Sequence, residues 1–166
     1  MSTLTLSPLR LSPDEIGEVV GIYRSNPEYC RAAGEYDPEH IPADRVEADL
    51  REEVGTEGCE VLLARDVDGR TAGLVSLLHR HPKDGYPWIG LLIVHGDQHR
   101  RGAGRLLVDL VEDRFRHQGR DGIRLAVLES NPTALAFWSS LGWQEIDRRP
   151  DVQHGRPCIV MHKQLT

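Results

Sequence analysis

The chain has 166 residues, of which 39% are hydrophobic and 28% are charged, as expected for one globular domain. No apolar run approaches the roughly 20 residues that a membrane-spanning helix needs. The formal net charge of -6 argues against a broad surface for nucleic-acid phosphates. We therefore expect a single domain over residues 1–166, with neither a membrane nor nucleic acid as a partner.

The N-terminus predicts where in the cell the protein resides, and the spacing of the cysteines bears on disulfides and metal sites. The first ten residues contain neither the basic region nor the continuous apolar region of a secretory signal, so we expect a cytoplasmic protein. Cys30, Cys59 and Cys158 show neither a CxxC motif nor a Cys/His ligand spacing. We therefore expect no disulfide framework and no metal site.

The first half of the chain predicts two helices and a β-hairpin. A Ser-Pro-Asp-Glu segment that starts at Ser12 is typical of a helix N-cap, and apolar residues recur at helical spacing up to Ser25. After a segment rich in Tyr, Glu and Pro, a second helix is expected over residues 43–54. Two β-like runs, residues 60–65 and 71–79, are separated by an Asp-Gly turn and predict an antiparallel hairpin.

The second half predicts a strand, a glycine-containing loop, a helix and another strand. Residues 88–94 are apolar without polar alternation, which is typical of a strand buried on both faces. The polar segment 95–104 leads into a helix that extends to about Phe115, and a second apolar strand follows at residues 123–128. This order predicts a right-handed parallel crossover. One more helix and two more strands are expected, at residues 132–141, 143–149 and 157–165.

The loop before the second-half helix has the features of an anion-binding site. A helix N-terminus presents unpaired N–H groups and a positive dipole end, and Gly102 and Gly104 let a phosphate approach the backbone. Arg100, Arg101 and Arg105 add positive charge in a chain that is acidic elsewhere. The alternative is that the two glycines only make a tight connection between a strand and a helix.

Two common nucleotide-binding motifs do not fit this loop. A P-loop requires Gly-Lys-Ser/Thr, whereas Gly104 is followed by Arg105 and Leu106. A dinucleotide fingerprint requires a third glycine at the position of Leu107 and an acidic residue that ends a strand about 20 residues later. Asp121 is expected in a loop, so the sequence favours another phosphate-bearing ligand.

Two separate segments resemble motifs of the GNAT superfamily of N-acetyltransferases. Residues 94–107 resemble the cofactor motif Q/R-x-x-G-x-G/A, and residues 131–143 resemble the segment N-x-x-A-x-x-F-Y-x-x-x-G-F. One helix and one strand separate them, and the resemblance covers about residues 59–165. It implies an α/β (α+β) fold with a mixed, mostly antiparallel sheet of six to seven strands and about four helices.

The resemblance implies an acetyl-CoA-dependent N-acetyltransferase that moves an acetyl group directly to a primary amine of a small molecule or peptide. A non-catalytic acyl-CoA-binding sensor is the alternative, because Trp138 replaces the usual Tyr and its indole has no acidic proton for a departing thiolate. The acidic balance of the chain suits a cationic acceptor. A homodimer is common among such proteins, and no feature of this sequence decides it.

The resemblance also assigns roles to individual residues. The backbone of Leu92 and Val94 would contact the pantetheine arm where the fourth and fifth strands diverge, and residues 100–105 would surround the pyrophosphate. Asn131 would bind the pantetheine besides capping its helix, and Trp138 would lie near the sulfur besides packing in the core. The full set of predicted cofactor-binding residues is Leu92, Ile93, Val94, His99, Arg100, Arg101, Gly102, Ala103, Gly104, Arg105, Asn131 and Trp138.

Direct acetyl transfer needs a neutral amine and a donor that stabilises the oxyanion. An alkyl amine with a pKa near 10 is mostly protonated at neutral pH, so a base is useful, whereas a thiolate with a pKa near 8.5 leaves without a strong acid. We favour Glu129 as the base, with a solvated carboxylate as the alternative interpretation, and the backbone N–H of Val94 as the oxyanion donor. Other candidates for the base are His79, His81 and His95.

The acceptor site is expected in two segments, residues 26–40 and residues 79–87, because loops at the open end of such a sheet carry specificity. Both contain acidic and aromatic side chains, which suit a cationic amine such as an amino sugar, a polyamine or a peptide N-terminus. Ordinary loop composition is the alternative interpretation. The predicted substrate-binding residues are Tyr36, Asp37, Asp84 and Tyr86.

Overall fold

One sheet of seven strands forms the centre of the computed structural model, which describes residues 3–152 and 154–166. The strands are β1 (Thr5–Pro8), β2 (Cys59–Arg65), β3 (Thr71–Leu78), β4 (Trp88–Val94), β5 (Gly122–Leu128), β6 (Gln144–Pro150) and β7 (Pro157–Gln164). The helices are α1 (Pro13–Arg24), α2 (Pro27–Ala33), α3 (Ala43–Val54), α4 (Ala103–His117) and α5 (Pro132–Ser140), with a short 3-10 helix at Gly96–Gln98. In the described part of the chain, no helix is both long and apolar enough to cross a membrane.

The strand order is β1-β2-β3-β4-β5-β7-β6. Neighbouring strands are antiparallel except for β4 and β5, which are parallel and are connected through α4. The mixed, mostly antiparallel sheet that the resemblance implies is therefore confirmed, and it has seven strands. The predicted parallel crossover is the connection that places the glycine loop at the end of β4.

The described residues contain five α-helices, where about four were expected. The additional helix is α2, which lies in the Tyr-, Glu- and Pro-rich segment where no helix was predicted. Pro27 occupies its first turn, where a fixed φ favours a helix, and Gly34 ends it with a left-handed φ of 72°. Cys30 is the buried residue of this seven-residue helix. One buried position gives no detectable helical periodicity.

The sheet separates two apolar layers, because successive side chains of a strand point to opposite faces. Leu62 of β2 and Val75 of β3 pack in the cluster that contains the inner side of α4, including Phe115, which is fully buried. Leu63 and Leu74 pack instead with buried residues of α1 and α3. Helices therefore cover both faces of the central strands that support the site.

The pairing of β4 with β5 is short. Trp88 pairs with Arg124 and Ile89 pairs with Leu125, both at the start of the two strands. The register between β3 and β4 then shifts, and Gly90 is the extra residue of a bulge in β4. A bulge bends its strand and ends regular pairing, while β5 stays paired with β7 along its length. The C-terminal halves of β4 and β5 therefore diverge and leave a gap in the sheet.

Candidate active site

A cavity of about 590 Å³ lies where the end of β4, the glycine loop and α5 meet. We call it the cofactor cleft. All predicted cofactor-binding residues line it except Arg101, which lines a different pocket together with Glu18 and Asp97. The cleft wall also contains residues that were not predicted to bind the cofactor, namely Asn26, Tyr29, Gln98, Thr133, Ala134 and Phe137.

The start of α4 forms one end of the cofactor cleft. The amide of Leu106 donates to the carbonyl of Gly102 at 3.1 Å, so the amides of residues 103–105 precede the first intrahelical bond. Gly102 is the N-cap with a left-handed φ of 77°, and Arg100 also has a positive φ of 63°. These amides and the nearby guanidinium groups suit a diphosphate such as that of acetyl-CoA.

The two glycines of the loop have different structural roles. A Cβ on Gly102 would meet no atom within 4 Å, so its positive φ is the reason for glycine here. A Cβ on Gly104 would lie 3.2 Å from the ring of Phe137 and 3.7 Å from Val94. Gly104 therefore allows α4 to pack closely against α5, a role that the phosphate-access interpretation of the sequence did not include.

The backbone of β4 presents donors to the gap between β4 and β5. The amide of His95 donates to the carbonyl of Ala72 on the β3 side at 2.8 Å. Because hydrogen-bonding directions alternate along an antiparallel strand, the N–H groups of Val94 and Leu92 point away from β3. They face the gap that opens where β5 diverges from β4, which fits their predicted roles toward a bound pantetheine arm.

The segment between α1 and α2 holds the end of β4 in place. The side-chain amide of Asn26 donates to the carbonyl of Val94 and to the carbonyl of Ile22, both at 2.9 Å. The amide of Gly96 donates to the hydroxyl of Ser25 at 2.9 Å, and a Cβ on this glycine would lie 2.7 Å from the Ser25 carbonyl oxygen. Asn26 was assigned to the acceptor segment, and the structure places it at the edge of the cofactor cleft.

Asn131 and Trp138 combine structural positions with access to the cofactor cleft. The side-chain oxygen of Asn131 accepts from the amide of Ala134 at 3.1 Å and caps α5. Trp138 is 7% exposed, and its ring centroid lies 5.2 Å from Phe137 and 5.1 Å from Trp143. Both residues are thus supports of the fold that also form the cleft wall.

Two further cavities continue from the cofactor cleft. The first, about 340 Å³, lies between β4 and β5, and we call it the strand gap; it shares Leu92 and Trp138 with the cofactor cleft. The second, about 550 Å³, shares Gly90 and Leu91 with the strand gap, and we call it the acidic pocket. Tyr29 lines all three cavities. The three cavities are therefore neighbours, and together they extend from the glycine loop past the gap in the sheet to the acidic pocket. We call this series of cavities the path.

Four carboxylates line the acidic pocket, on α3 and at the end of α2. The hydroxyl of Tyr36 donates to Asp49 at 2.6 Å, and burial together with this carboxylate raises the pKa of the tyrosine. Arg45 lies over the Tyr36 ring at 5.0 Å. The four acidic residues are Glu35, Asp49, Glu52 and Glu53. Such a wall suits a cationic ligand.

The structure separates the four residues that were predicted to bind the acceptor. Tyr36 lines the acidic pocket. Asp37 is outside it, where its carboxylate accepts from the amide of Glu39 at 2.9 Å. Asp84 and Tyr86 lie in the connection from β3 to β4, away from the three cavities, and Tyr86 packs under the guanidinium of Arg124 at 4.1 Å. The acidic and aromatic composition of that connection therefore serves internal contacts.

Asp84 organises this connection. Its carboxylate accepts from the amide of Tyr86 at 2.9 Å and from the indole of Trp88 at 3.1 Å, and it pairs with Arg124 at 3.1 Å. Burial acts to raise the pKa of Asp84, but these donors and His81 outweigh it and hold the pKa below its usual value. Asp84 thus contributes stability above its unfolded pKa, and this stability is lost as pH falls through the folded pKa.

We expect Asp84→Ala to lower the free energy of unfolding by about 2 kcal/mol at pH 7, because it leaves a guanidinium and an indole N–H without their partner. The difference from the wild type should shrink as pH falls from the usual unfolded carboxyl pKa of about 3.9 through the lower folded pKa, because the carboxyl then becomes protonated in the folded state. Urea denaturation at pH 7 and over this acidic range measures the difference. A variant of normal stability that fails to bind the acceptor would instead support the original substrate-binding assignment.

Glu129, the favoured base, does not line the path. Its carboxylate accepts from Arg148 at 2.7 Å, and it belongs to a separate pocket beside β6 and β7 together with Pro157. This ion pair engages the carboxylate at a position away from the path. The geometry therefore does not favour Glu129 as the base.

The three histidine candidates also lie elsewhere. The Nε2 atom of His79 is 3.1 Å from Glu60, and the ring of His81 stacks on Trp88 with 4.4 Å between centroids. His95 accepts from the amide of Asp97 at 3.1 Å. None of the three histidines lines the acidic pocket, the strand gap or the cofactor cleft among the described residues.

Sequence reasoning missed several residues of the path, because it assigned the acidic end of α3 no site role and did not single out Tyr29 within the predicted acceptor segment 26–40. The signal that could have shown the gap was Gly90, since a glycine inside an apolar strand often marks a bulge. The missed residues are Tyr29, Asp49, Glu52, Glu53 and Gly90.

This arrangement places an anion-binding loop on one side of a divided sheet and an acidic pocket on the other. A family model described as the acetyltransferase (GNAT) family matches residues 21–143. The chain therefore belongs to the GNAT acetyltransferase family; it is an N-acetyltransferase, and its cofactor is acetyl-CoA.

Solved structures share the fold over nearly the whole chain. An acetyltransferase from Thermus thermophilus superimposes with a TM-score of 0.77 at 21% identity, covering 98% of this chain and 97% of the other. A spermidine N-acetyltransferase from Vibrio cholerae, solved in complex with CoA and spermine, gives a TM-score of 0.73 at 17% identity, covering 98% and 95%. A search of curated protein sequences found no match.

Proposed function

We propose that this protein acetylates a primary amine of a small cationic molecule or peptide by direct transfer from acetyl-CoA. The observation that carries this proposal is the series of neighbouring cavities that extends from the start of α4 past the strand gap to the acidic pocket. One end of the path suits a diphosphate, and the other suits a cation. The reacting groups would meet between the two ends.

The cofactor would be held mainly by main-chain groups. The amides of residues 102–105 and the guanidinium of Arg105 would bind the diphosphate, and Asn131 and Trp138 would contact the arm. The N–H groups of Leu92 and Val94 face the gap, so they are the proposed donors to the arm and to the carbonyl oxygen that gains charge. Bound acetyl-CoA supplies a thioester as the acyl donor.

The acidic pocket favours a polyamine over a neutral amine. Four carboxylates outnumber Arg45 and His154, which are the basic residues of the described pocket wall. A ligand with more than one ammonium group could pair with several carboxylates, and the field of the pocket would concentrate such cations. The similarity in fold to a spermidine N-acetyltransferase that was solved with spermine agrees with this choice.

The test is thiol release from acetyl-CoA with a panel of amines that contains spermidine, glucosamine and a short peptide with a free N-terminus. We expect turnover in the usual enzymatic range of about 1 to 1000 per second for the preferred acceptor, with spermidine ahead of the others. A protein that binds acetyl-CoA and releases no thiol with any amine would instead be an acyl-CoA-binding sensor.

A further inference from the structure

Glu53, near the C-terminal end of α3, lies in the wall of the acidic pocket and is held there by a hydrogen bond to the central sheet. Its Oε1 atom accepts a hydrogen bond from the hydroxyl of Ser76 on β3. Ser76 is 5% exposed, so this contact holds one edge of the carboxylate against the central sheet. Glu53 itself is only partly exposed and lines the pocket. A carboxylate that served only to interact with water on the surface of α3 would not make this contact with a buried strand.

Ser76 also lies beneath the bulge of β4. Its Oγ atom is 3.5 Å from the position that a Cβ on Gly90 would occupy. Gly90 and Leu91 line both the strand gap and the acidic pocket. The carboxylate of Glu53 is therefore held beside the point where a donor in the strand gap and an amine in the acidic pocket would meet.

We propose that Glu53 is the catalytic base that accepts a proton from the acceptor ammonium, and that Ser76 is a positioning residue that orients its carboxylate. This inference rests on the proposed amine acetylation. It assigns the base to the acidic pocket, on the opposite side of the strand gap from the glycine loop. Glu129, paired with Arg148, is then a surface ion pair without a part in the reaction.

The proton and electron balance of the step is simple. The Glu53 carboxylate accepts one proton from the ammonium and leaves a neutral amine. The nitrogen lone pair forms the new C–N bond, and the C–S bond breaks with its electron pair on sulfur. The nitrogen loses a second proton, which neutralises the thiolate, and Glu53 releases the first proton to water. The net products are an amide, a thiol and one proton.

Other ionisable groups surround Glu53, and their charges bear on the pH dependence of the reaction. Burial raises the pKa of Tyr23 and of Tyr29, so both hydroxyls stay neutral while the base acts. Burial likewise raises the pKa of the Cys59 thiol, with the charge of Glu53 adding to the effect. The remaining ionisable groups on the described pocket wall are Glu35, Tyr36, Arg45, Asp49, Glu52 and His154.

The test compares Glu53→Gln with the wild type, with spermidine as the acceptor and thiol release as the readout. At pH 7 we expect the variant to lose about 100-fold in kcat/KM, which is typical for removal of a general base. The loss should shrink by about tenfold for each pH unit toward the amine pKa near 10, since the solvent then supplies neutral amine. Ser76→Ala should show a smaller loss with the same pH trend.

Two controls distinguish a base from a structural residue. Glu57→Gln makes the same chemical change at an exposed position outside the pocket and should leave the kinetics unchanged. Glu53→Gln should keep the wild-type melting temperature and acetyl-CoA affinity. In NMR of labelled carboxyl carbons with CoA bound, one resonance that is missing in this variant should move when spermidine is added.

The outcomes separate the two levels of the proposal. A wild-type protein that releases no thiol contradicts the amine acetylation itself. An active wild type whose Glu53→Gln variant is equally active, or loses the same factor at every pH from 7 to about 9.5, overturns the role of Glu53 while leaving the acetylation intact.

Discussion

Gly102→Ala is expected to weaken acetyl-CoA binding by about 10- to 100-fold while the protein stays folded. An L-residue with a left-handed φ costs roughly 1–2 kcal/mol, and relaxation of the φ of 77° would turn the amides at the start of α4 away from the diphosphate. Each hydrogen bond to a charged group contributes about 1.5–3 kcal/mol, so the loss of one such bond gives this range. Titration calorimetry measures it.

Gly119→Ala is the matched control for this variant. Gly119 follows the C-terminal end of α4 with a φ of 75°, and like Gly102 it would meet no atom within 4 Å on addition of a Cβ. The backbone strain is therefore the same at both ends of one helix. We expect similar melting temperatures for the two variants and normal acetyl-CoA affinity for Gly119→Ala; equal affinities would contradict a role of the loop in binding.

Gly73→Ala is expected to destabilise the protein by about 3 kcal/mol, the upper end of the usual cost of overpacking. A Cβ at this position would lie 2.7 Å from the carbonyl oxygen of Ile93 and 3.1 Å from the side chain of Leu107. The first contact is with backbone, so β3 and β4 must separate locally. Because Gly73 pairs with Val94, the same shift should disturb the end of β4 and weaken cofactor binding.

Gly17→Ala makes the same substitution, but we expect it to stabilise the protein instead of destabilising it. Gly17 lies inside α1, is exposed, and would have no atom within 4 Å of an added Cβ. Alanine is favoured over glycine in a helix interior by about 1 kcal/mol, so this variant should be more stable than the wild type. Urea denaturation of both variants measures the difference, and a Gly73→Ala protein as stable as Gly17→Ala would show that the β3–β4 contact is not tight.

Features that depend on neighbouring residues were predictable from the sequence. The apolar run 88–94 indicated a central strand, and the loop after it indicated a helix N-terminus with Gly102 as a turning point. Their relation to the second motif at Asn131 then implied the family. These signals are local, because hydrophobic periodicity and glycine positions reflect the conformation of a short segment.

Features that depend on distant residues were not predictable. The hydrogen bond from Asn26 to the Val94 carbonyl joins residues 68 positions apart, and the contact between Ser76 and Glu53 joins residues 23 positions apart. Pattern analysis of one segment contains no information on such pairs. The acidic end of α3 therefore could not be distinguished from a solvated helix face.

Charged and aromatic composition alone also grouped residues that the structure places apart. Asp84 and Tyr86 have the side chains that a cationic ligand needs, and the cation that they contact is Arg124 of the same chain. Recognition of an amine and recognition of an internal guanidinium use the same interactions. Binding of an external amine and contact with an internal guanidinium can therefore be distinguished only once the positions of β4 and β5 are known.

A crystal structure of the protein with bound CoA tests the central claim most directly. The account predicts diphosphate oxygens within about 2.7–3.2 Å of backbone amides between Gly102 and Arg105. It also predicts that the arm passes between β4 and β5, with the sulfur beside Gly90 at the entrance to the acidic pocket. A diphosphate bound away from the start of α4, or an arm that does not enter the strand gap, would contradict it.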